Sequence, residues 1–595
     1  MKKVYILNKV CTLRASSKLL LTAFASLIMF ASCKDEHFDV NPNVEGRQTI
    51  WENIKSNPDL SEFAYILSNT YYSKSETSTT SQTYADLLSC DQTFTVWAPK
   101  NGSFDFEKFK AMLEENSITA HYRVEKELIR NNMVRYSHPL SGAGVDTLDL
   151  FNDKTVVFDR TSKTLASNNI TTANIACSNG IIHITDGSVP YLPNIYELLG
   201  QLNGIDSIYN FIQGYEKFEF NEYASTQGPT VNGSITWVDS VTNLTNEYFY
   251  SMGAYLNRED SLYAMIVSKN DAWKDILKMT KTYYNFMPTY TQTVTTVDIE
   301  GDEKSEQVTT TYTDAELDSM LNLYAKSAIC DNLVFNARYQ VKAFNPYLPW
   351  DCDSIVSTSY NKFKAPFIEP LFDGNKTPAI ASNGYVYLVD HFNFRSADTW
   401  AAKKVLEAEM TRNVESNTRC TLSNYTGTFE RNDSIIKYTV VRTVQSSSSA
   451  NPEVTFKIPN TLSCKYDIYI LMAHNTNADK PAKFKATLAY HDGRKATSTT
   501  ATFKPLDNDT IHKGGSNIFV TRPPYIDEKG YLQYVDTIPL AKDFLLPISY
   551  YKMDKAYVTL KIASNVTSKE TATYSREMWI DKIIFVAKEN EDIQE

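Results

Sequence analysis

The chain has 595 residues, a formal net charge of −11, 38 tyrosines and only 20 glycines. That length predicts several domains, and sparse glycine with no long low-complexity tract predicts that most of it folds. An acidic balance without clustered Lys and Arg argues against a nucleic-acid partner. At the N-terminus, Lys2, Lys3, Lys9, Arg14 and Lys18 form a basic leader with no acidic residue. Residues 19–30 follow as a run of twelve mostly apolar residues. It is too short to cross about 30 Å of hydrocarbon as a helix. The basic flank, short apolar run and small residues at its end read as a secretory signal over 1–32. Its removal lowers the net charge from −11 to −16.

Ala31-Ser32-Cys33 at the end of that run resembles the lipobox of bacterial lipoproteins, with Phe30 where the family prefers Leu. The resemblance implies a signal peptide cut before Cys33, acyl chains including palmitate on that residue, and a lipidated tether over 33–45. Lys34, Asp35 and Glu36 follow at once. This cluster is similar to the surface-export signal of Bacteroidota lipoproteins, which implies the outer face of the outer membrane. Several acyl chains on one residue give stable anchoring, at about 0.8 kcal/mol per buried methylene.

Two copies of one pattern come next. "TFTVWAPKNGSF" (93–104) alternates like a strand and runs into a turn and an aromatic. "SLYAMIVSKNDAW" (261–273) repeats it, with Asn270 matching Asn101 and Trp273 matching Phe104. Downstream, "CSNGIIHITD" (177–186) matches "ASNGYVYLVD" (381–390). Each holds a Ser-Asn-Gly turn, Asn-Gly supplying the positive φ that a tight turn needs. Upstream of each first box, Phe63, Ile66 and Leu67, and Ile208, Phe211 and Ile212, recur at helical spacing. Three landmarks in the same order predict a duplication.

These landmarks resemble fasciclin (FAS1) domains, whose first box carries Ala-Pro and Asn and whose last reads Asn-Gly-x-Ile-His-x-Ile-Asp. Ala98, Pro99, Asn101, Asn179, Gly180, His183 and Asp186 match in the first copy. The family's central Tyr-His pair is interrupted here, as Tyr136-Ser137-His138. The second copy diverges further, with Ser268 for the proline and Tyr387 for the histidine. The resemblance implies fasciclin-like domains over 46–194 and 195–400. Asn101 to Asn179 spans 78 residues and Asn270 to Asn383 spans 113, so the second copy holds 35 more. They are assigned to an insertion near 284–316, read as a β-hairpin of alternating Thr/Val arms with an acidic tip at Glu300-Gly301-Asp302-Glu303.

From about Arg412 the helical period stops, and alternating runs recur at intervals near ten residues. That predicts an all-β sandwich or jelly roll over 412–595. Its last run, "EMWIDKIIFVAKE", resembles the closing strand of galactose-binding-like jelly rolls, many of which bind carbohydrate. The expected fold class is therefore multidomain α+β: two fasciclin-like domains, then the sandwich.

Six cysteines remain beside Cys11 and Cys33: Cys90, Cys177, Cys330, Cys352, Cys420 and Cys464. None forms a CxxC, which disfavours zinc; an oxidising envelope permits pairing, and buried free thiols are the default. There is no HExxH, GxSxG, Walker loop or GxGxxG. His183 reads as structural, and Asp507-Asn508-Asp509 as a turn rather than a calcium loop. The expectation is no enzyme, no cofactor and no metal.

One tripeptide exceeds chance. Asp-(Ser/Thr)-(apolar or Thr) places candidate hydroxyls at Thr147, Ser207, Ser240, Ser261, Ser319, Ser354, Ser434, Thr510 and Thr537, against roughly two or three expected from composition. It resembles the O-glycosylation acceptor of Bacteroidota envelope proteins; the plainer reading is that Asp-Ser and Asp-Thr favour turns and caps. The functional expectation is a non-catalytic cell-surface lipoprotein that binds a glycan, or a peptide, as an accessory of a SusC/SusD-like transporter complex. The alternative is cell-surface adhesion, and a further one an enzyme within the C-terminal domain. Binding predicts two or three exposed aromatics on one face, with Tyr525, Tyr531 and Tyr534 as candidates.

Overall fold

The computed structural model describes residues 46, 48–231, 234–297, 303–340, 342–431 and 434–590. They form two compact units: one holds the chain up to Pro193 with Glu216–Asn246, the other Asn194–Tyr215 and everything from Glu247 on.

In the first unit a seven-stranded sheet holds Phe94–Pro99 and Gly180–Thr185 side by side, second and third from one edge. These two run parallel in the register Phe94↔Gly180 to Pro99↔Thr185. Both are buried along their whole length, as continuous apolar runs on parallel strands require. Helices Ile50–Ser56 and Ser61–Asn69 cover one face, packing Phe63, Ile66 and Leu67 against Phe94, Val96 and Ala98. Asn179 locks the turn into the second strand. Its side-chain oxygen accepts from the Ile50 amide at 2.8 Å, and its Nδ2 donates to the carbonyls of Leu88 and Cys90 at 2.8 and 2.7 Å. Gly180 follows at φ 142°, where a Cβ would lie 1.9 Å from the Phe94 carbonyl oxygen.

The second unit repeats this geometry. Tyr263–Ser268 runs parallel to Gly384–Val389 from Tyr263↔Gly384. Asn383 accepts from the Ile195 amide at 2.8 Å and donates to the carbonyls of Leu256 and Arg258, each at 2.8 Å. Gly384 sits at φ 151°, a Cβ there meeting the Tyr263 oxygen at 2.0 Å. In each copy a short antiparallel strand, Met133–Arg135 or Val334–Asn336, flanks the same side. Asn101 and Asn270 each accept from the amide of an early helix residue, Glu62 or Ser207, at 3.0 Å. The histidine-to-tyrosine difference is conservative in effect. His183 Nε2 lies 3.0 Å from the His138 carbonyl, and the Tyr387 hydroxyl donates to the Pro346 carbonyl at 2.8 Å.

Two additions depart from the shared pattern. The arms of the 284–316 segment form the hairpin Thr289–Val297 with Glu303–Thr311; of the acidic tip, Glu300, Gly301 and Asp302 lie outside the described residues. A second addition, not anticipated from the sequence, is a pair of two-stranded ribbons. Glu216–Phe220 pairs with Thr242–Asn246, and Thr226–Val231 with Ser234–Asp239.

The C-terminal part of the second unit is a sandwich. One sheet has six strands, with Trp579–Ala587 between Ser434–Gln445 and Cys464–Ala473, and Cys420–Arg431 and Val535–Leu546 outside them. The other has seven, among them Glu453–Ile458, Val558–Ser564 and Lys483–Tyr490. Between them lie Phe456, Ile468, Ile470, Phe484, Leu488, Leu560, Ile562, Ile583 and Phe585. The sandwich begins before the expected residue 412, because Lys404–Glu407 pairs with Trp579–Ala587. The same apolar core takes in Tyr283, Tyr284, Met287 and Tyr290 from the second fasciclin-like segment, so no break between compact units falls at 412. The hairpin root joins it: the Thr291 amide donates to the Ala496 carbonyl at 2.7 Å, and Gln292 accepts from the Tyr557 amide at 2.9 Å. All six described cysteines are free thiols.

Candidate binding face

Strands Cys420–Arg431 and Ser434–Gln445 pair with Tyr425 opposite Val440, Gly427 opposite Tyr438 and Ser423 opposite Arg442. Paired residues share a face. Val441, one residue on from Val440, points into the sandwich core, so Tyr425, Tyr438, Val440 and Arg442 point outward. Trp579 lies opposite Arg442 on the next strand. It forms an outer apolar cluster with Val440 and Ala473, against which Tyr425, Tyr438 and Val535 pack.

Trp579 is 1 % exposed. Tyr425 lies over it with ring centroids 4.6 Å apart, and the Arg442 guanidinium sits 5.2 Å from its centroid. Glu577 ties the arrangement together, accepting from the Trp579 indole and from Arg442 Nε at 2.7 Å each. Gly427 makes room for Tyr438, since a Cβ there would come within 2.3 Å of the tyrosine ring. Burial, then the neighbouring Tyr425 and Tyr534 hydroxyls, hold the Tyr438 pKa above its ordinary value. Tyr425 and Tyr438 pack on the same cluster and are half-buried, as is Tyr534. The result is a tier of tyrosines on a buried tryptophan, with an Arg442–Glu577 pair at its side. Stacking on a sugar ring and hydrogen bonding to its hydroxyls suit such amphipathic side chains.

Of the three candidate tyrosines, Tyr534 is half-buried and its hydroxyl contributes to the raised Tyr438 pKa. Tyr525 and Tyr531 belong to a small hairpin in which Tyr525 pairs with Gln533, and the Arg522 guanidinium covers the Tyr525 ring at 3.1 Å. Arg522 donates through Nε to Asp536 at 2.8 Å. Asp536 also engages His512 Nε2 at 3.2 Å, while Asp509 engages His512 Nδ1 at 2.7 Å. Burial depresses the His512 pKa, but hydrogen bonds and charge from Asp536 and Asp509 outweigh it and raise the net value. Asp509 is thus committed to an imidazolium, as well as to the Ile511 and His512 amides. Among the described residues no group of three or more His, Cys, Asp or Glu is placed to hold a metal ion.

Cys33, Lys34, Asp35 and Glu36 lie outside the described residues. Thr147, Ser240, Ser319, Thr510 and Thr537 are exposed, and Ser207, Ser261 and Ser354 are half-buried. Ser434 opens a strand. Sequence reasoning missed Tyr425, Tyr438 and Trp579; the signal was one tyrosine in each of two neighbouring alternating runs, "NYTGTF" and "KYTVVR".

No protein-family model and no curated protein matches the chain. Among solved structures, it is similar to a fasciclin domain pair from the insect cell adhesion molecule fasciclin I, at 11% identity over 51% of this chain and 90% of that one, TM-score 0.17. It is similar also to a carbohydrate-binding module with specific mannan recognition, at 9% identity over 31% of this chain and 96% of that one, TM-score 0.19. A third is a Clostridium thermocellum xylanase fragment complexed with xylohexaose, at 12% identity over 32% of this chain and 28% of that one, TM-score 0.19. Likenesses of this size assign neither fold nor function; the duplicated Asn-Gly turns and the two-sheet sandwich stand on their own geometry.

Proposed function

We propose that this protein is a non-catalytic cell-surface lipoprotein that binds a glycan on the outer face of its six-stranded sheet. The observation that carries the reading is the tier of Tyr425 and Tyr438 over Trp579. An anchor at Cys33 and the Lys34-Asp35-Glu36 cluster support display on the outer membrane, and from there service as an accessory of a SusC/SusD-like transporter. Calorimetric titration of the whole chain with a panel of neutral oligosaccharides tests it. At least one should bind, and Tyr438→Ala should weaken it roughly tenfold or more, the loss of one stacking side chain being worth about 1–2 kcal/mol. Binding unchanged by Tyr438→Ala refutes the face.

Adhesion remains the second reading, and a different feature favours it. The ribbons of the first unit expose Phe218 at 63% and Val238 at 73%, and the segment between them exposes Tyr223 at 102%; large exposed apolar side chains are the material of interaction surfaces.

A further inference from the structure

A cavity opens in the sandwich, lined by none of the tier's residues. It has a volume of about 450 Å³, within the roughly 300–1,000 Å³ usual for small-molecule sites. Arg412, Lys457 and Lys552 line it, with Asp554 as its one carboxylate-bearing lining residue. In a chain of net charge −11 this is a local reversal of sign.

The three cations are not equivalent. Lys457 is already neutralised, its ammonium 2.9 Å from Glu415, which also accepts from the Tyr557 hydroxyl at 2.8 Å. Arg412 and Lys552 form no ion pair within 4.0 Å among the described residues. Lys552 is held by other means. Its ammonium lies 5.7 Å from the Tyr324 centroid and 5.5 Å from that of Tyr551. Its backbone is left-handed at φ 55°, facing a second left-handed residue, Asn460 at φ 56°. The Asn460 side chain fixes this pair by accepting from the Lys552 amide at 2.7 Å. A left-handed lysine is uncommon, and such strain concentrates at ligand clamps. Among the described residues Asp554 lines the cavity and closes no ion pair with either cation, and the half-buried Asp331 carboxyl feels the Lys552 charge from beyond ion-pair distance.

The geometry points to this cavity as a binding site for the anionic group of an acidic sugar, a carboxylate or a sulfate ester, held between Arg412 and Lys552. A planar guanidinium suits either group in a two-point contact, and an ammonium adds a point charge. The inference deepens the glycan reading by naming an acidic sugar. It rests on that reading for the sugar and not for the anion.

The test titrates the whole chain with three probes: trigalacturonate, a sulfated galactotriose and neutral galactotriose. At least one acidic probe should bind. Arg412→Gln and Lys552→Asn, the latter chosen because Asn tolerates the left-handed backbone, should each weaken that probe about tenfold or more. Both variants should leave any affinity for the neutral probe unchanged. The better acidic probe identifies carboxylate or sulfate as the source. Failure of both acidic probes to bind, or variants that bind them like the parent, overturns the proposal. Tyr438→Ala separates the two readings: if it has no effect while Arg412→Gln does, the tyrosine face falls and the anion site stands.

Discussion

Replacing Asp536 by Asn removes one charge from a buried network that is otherwise balanced. The carboxylate is 4% exposed and receives His512 Nε2, Arg522 Nε and the Arg522 amide at 3.2, 2.8 and 3.0 Å. His512 has both ring nitrogens against carboxylates, so it is an imidazolium, and its side chain is 7% exposed. Asp509 and Asp536 then offset His512 and Arg522 charge for charge. In the variant the imidazolium keeps one partner, and leaving a buried charge under-compensated costs about 2–3 kcal/mol. Arg522 is 27% exposed, so water takes over much of its share, which falls below about 1 kcal/mol. The expected loss is about 3 kcal/mol, confined to the sandwich. Because a multidomain chain does not unfold in one step, the assay is amide hydrogen exchange at residues 512 and 522. A pH series gives the sign. The folded-state pKa of His512 is raised above its unfolded value, so its contribution is complete below about pH 6.5 and fades as pH rises through the folded pKa. Asp509 is lowered, with burial opposing and the hydrogen bonds from His512 prevailing. Its contribution holds above about pH 4 and fades as pH falls through the folded pKa. Protection should therefore peak between these limits in the parent and lose its upper limb in Asp536→Asn. Loss of under 1 kcal/mol, or parent protection that rises steadily above pH 7, refutes the charge accounting.

Gly384→Ala should cost at least about 3 kcal/mol, since the added Cβ meets backbone rather than a movable side chain. Gly374→Ala, also at positive φ but with nothing within 4 Å, should cost about 1 kcal/mol; equal melting shifts for the two contradict the close-approach argument. Cys33→Ala should shift the protein out of the acylated outer-membrane fraction, read by palmitate labelling; undiminished labelling removes the anchor assignment.

The parts legible in the sequence were those whose physics is local. Asn179-Gly180 and Asn383-Gly384 announced themselves because one side chain bonds three backbone groups and its neighbour admits no Cβ. The 289–311 hairpin was legible from strict alternation along both arms. The tyrosine tier was not. It depends on Trp579 arriving between strands more than a hundred residues earlier in the chain, and nothing local to "EMWID" encodes those neighbours. Tyr525 looked available in sequence and is roofed by Arg522, whose own position is set by Asp536. The ribbons at 216–246 carried a readable sign, Asn232-Gly233 between alternating runs, which the fasciclin pattern obscured.

The tyrosines that the second fasciclin-like segment lends to the sandwich core bear on how such proteins are assembled over time. Tyr283 and Tyr284 are 0% and 1% exposed, and Asn285 donates to the Pro547 carbonyl at 2.8 Å. A gene fusion that carried off the sandwich alone would bring a half-lined interior with it, and one that carried off the fasciclin-like segment would leave aromatic rings in water. The smallest heritable cassette is consequently the pair, and the outer face of the six-stranded sheet travels with a fixed orientation to its neighbour rather than as a free-swinging module.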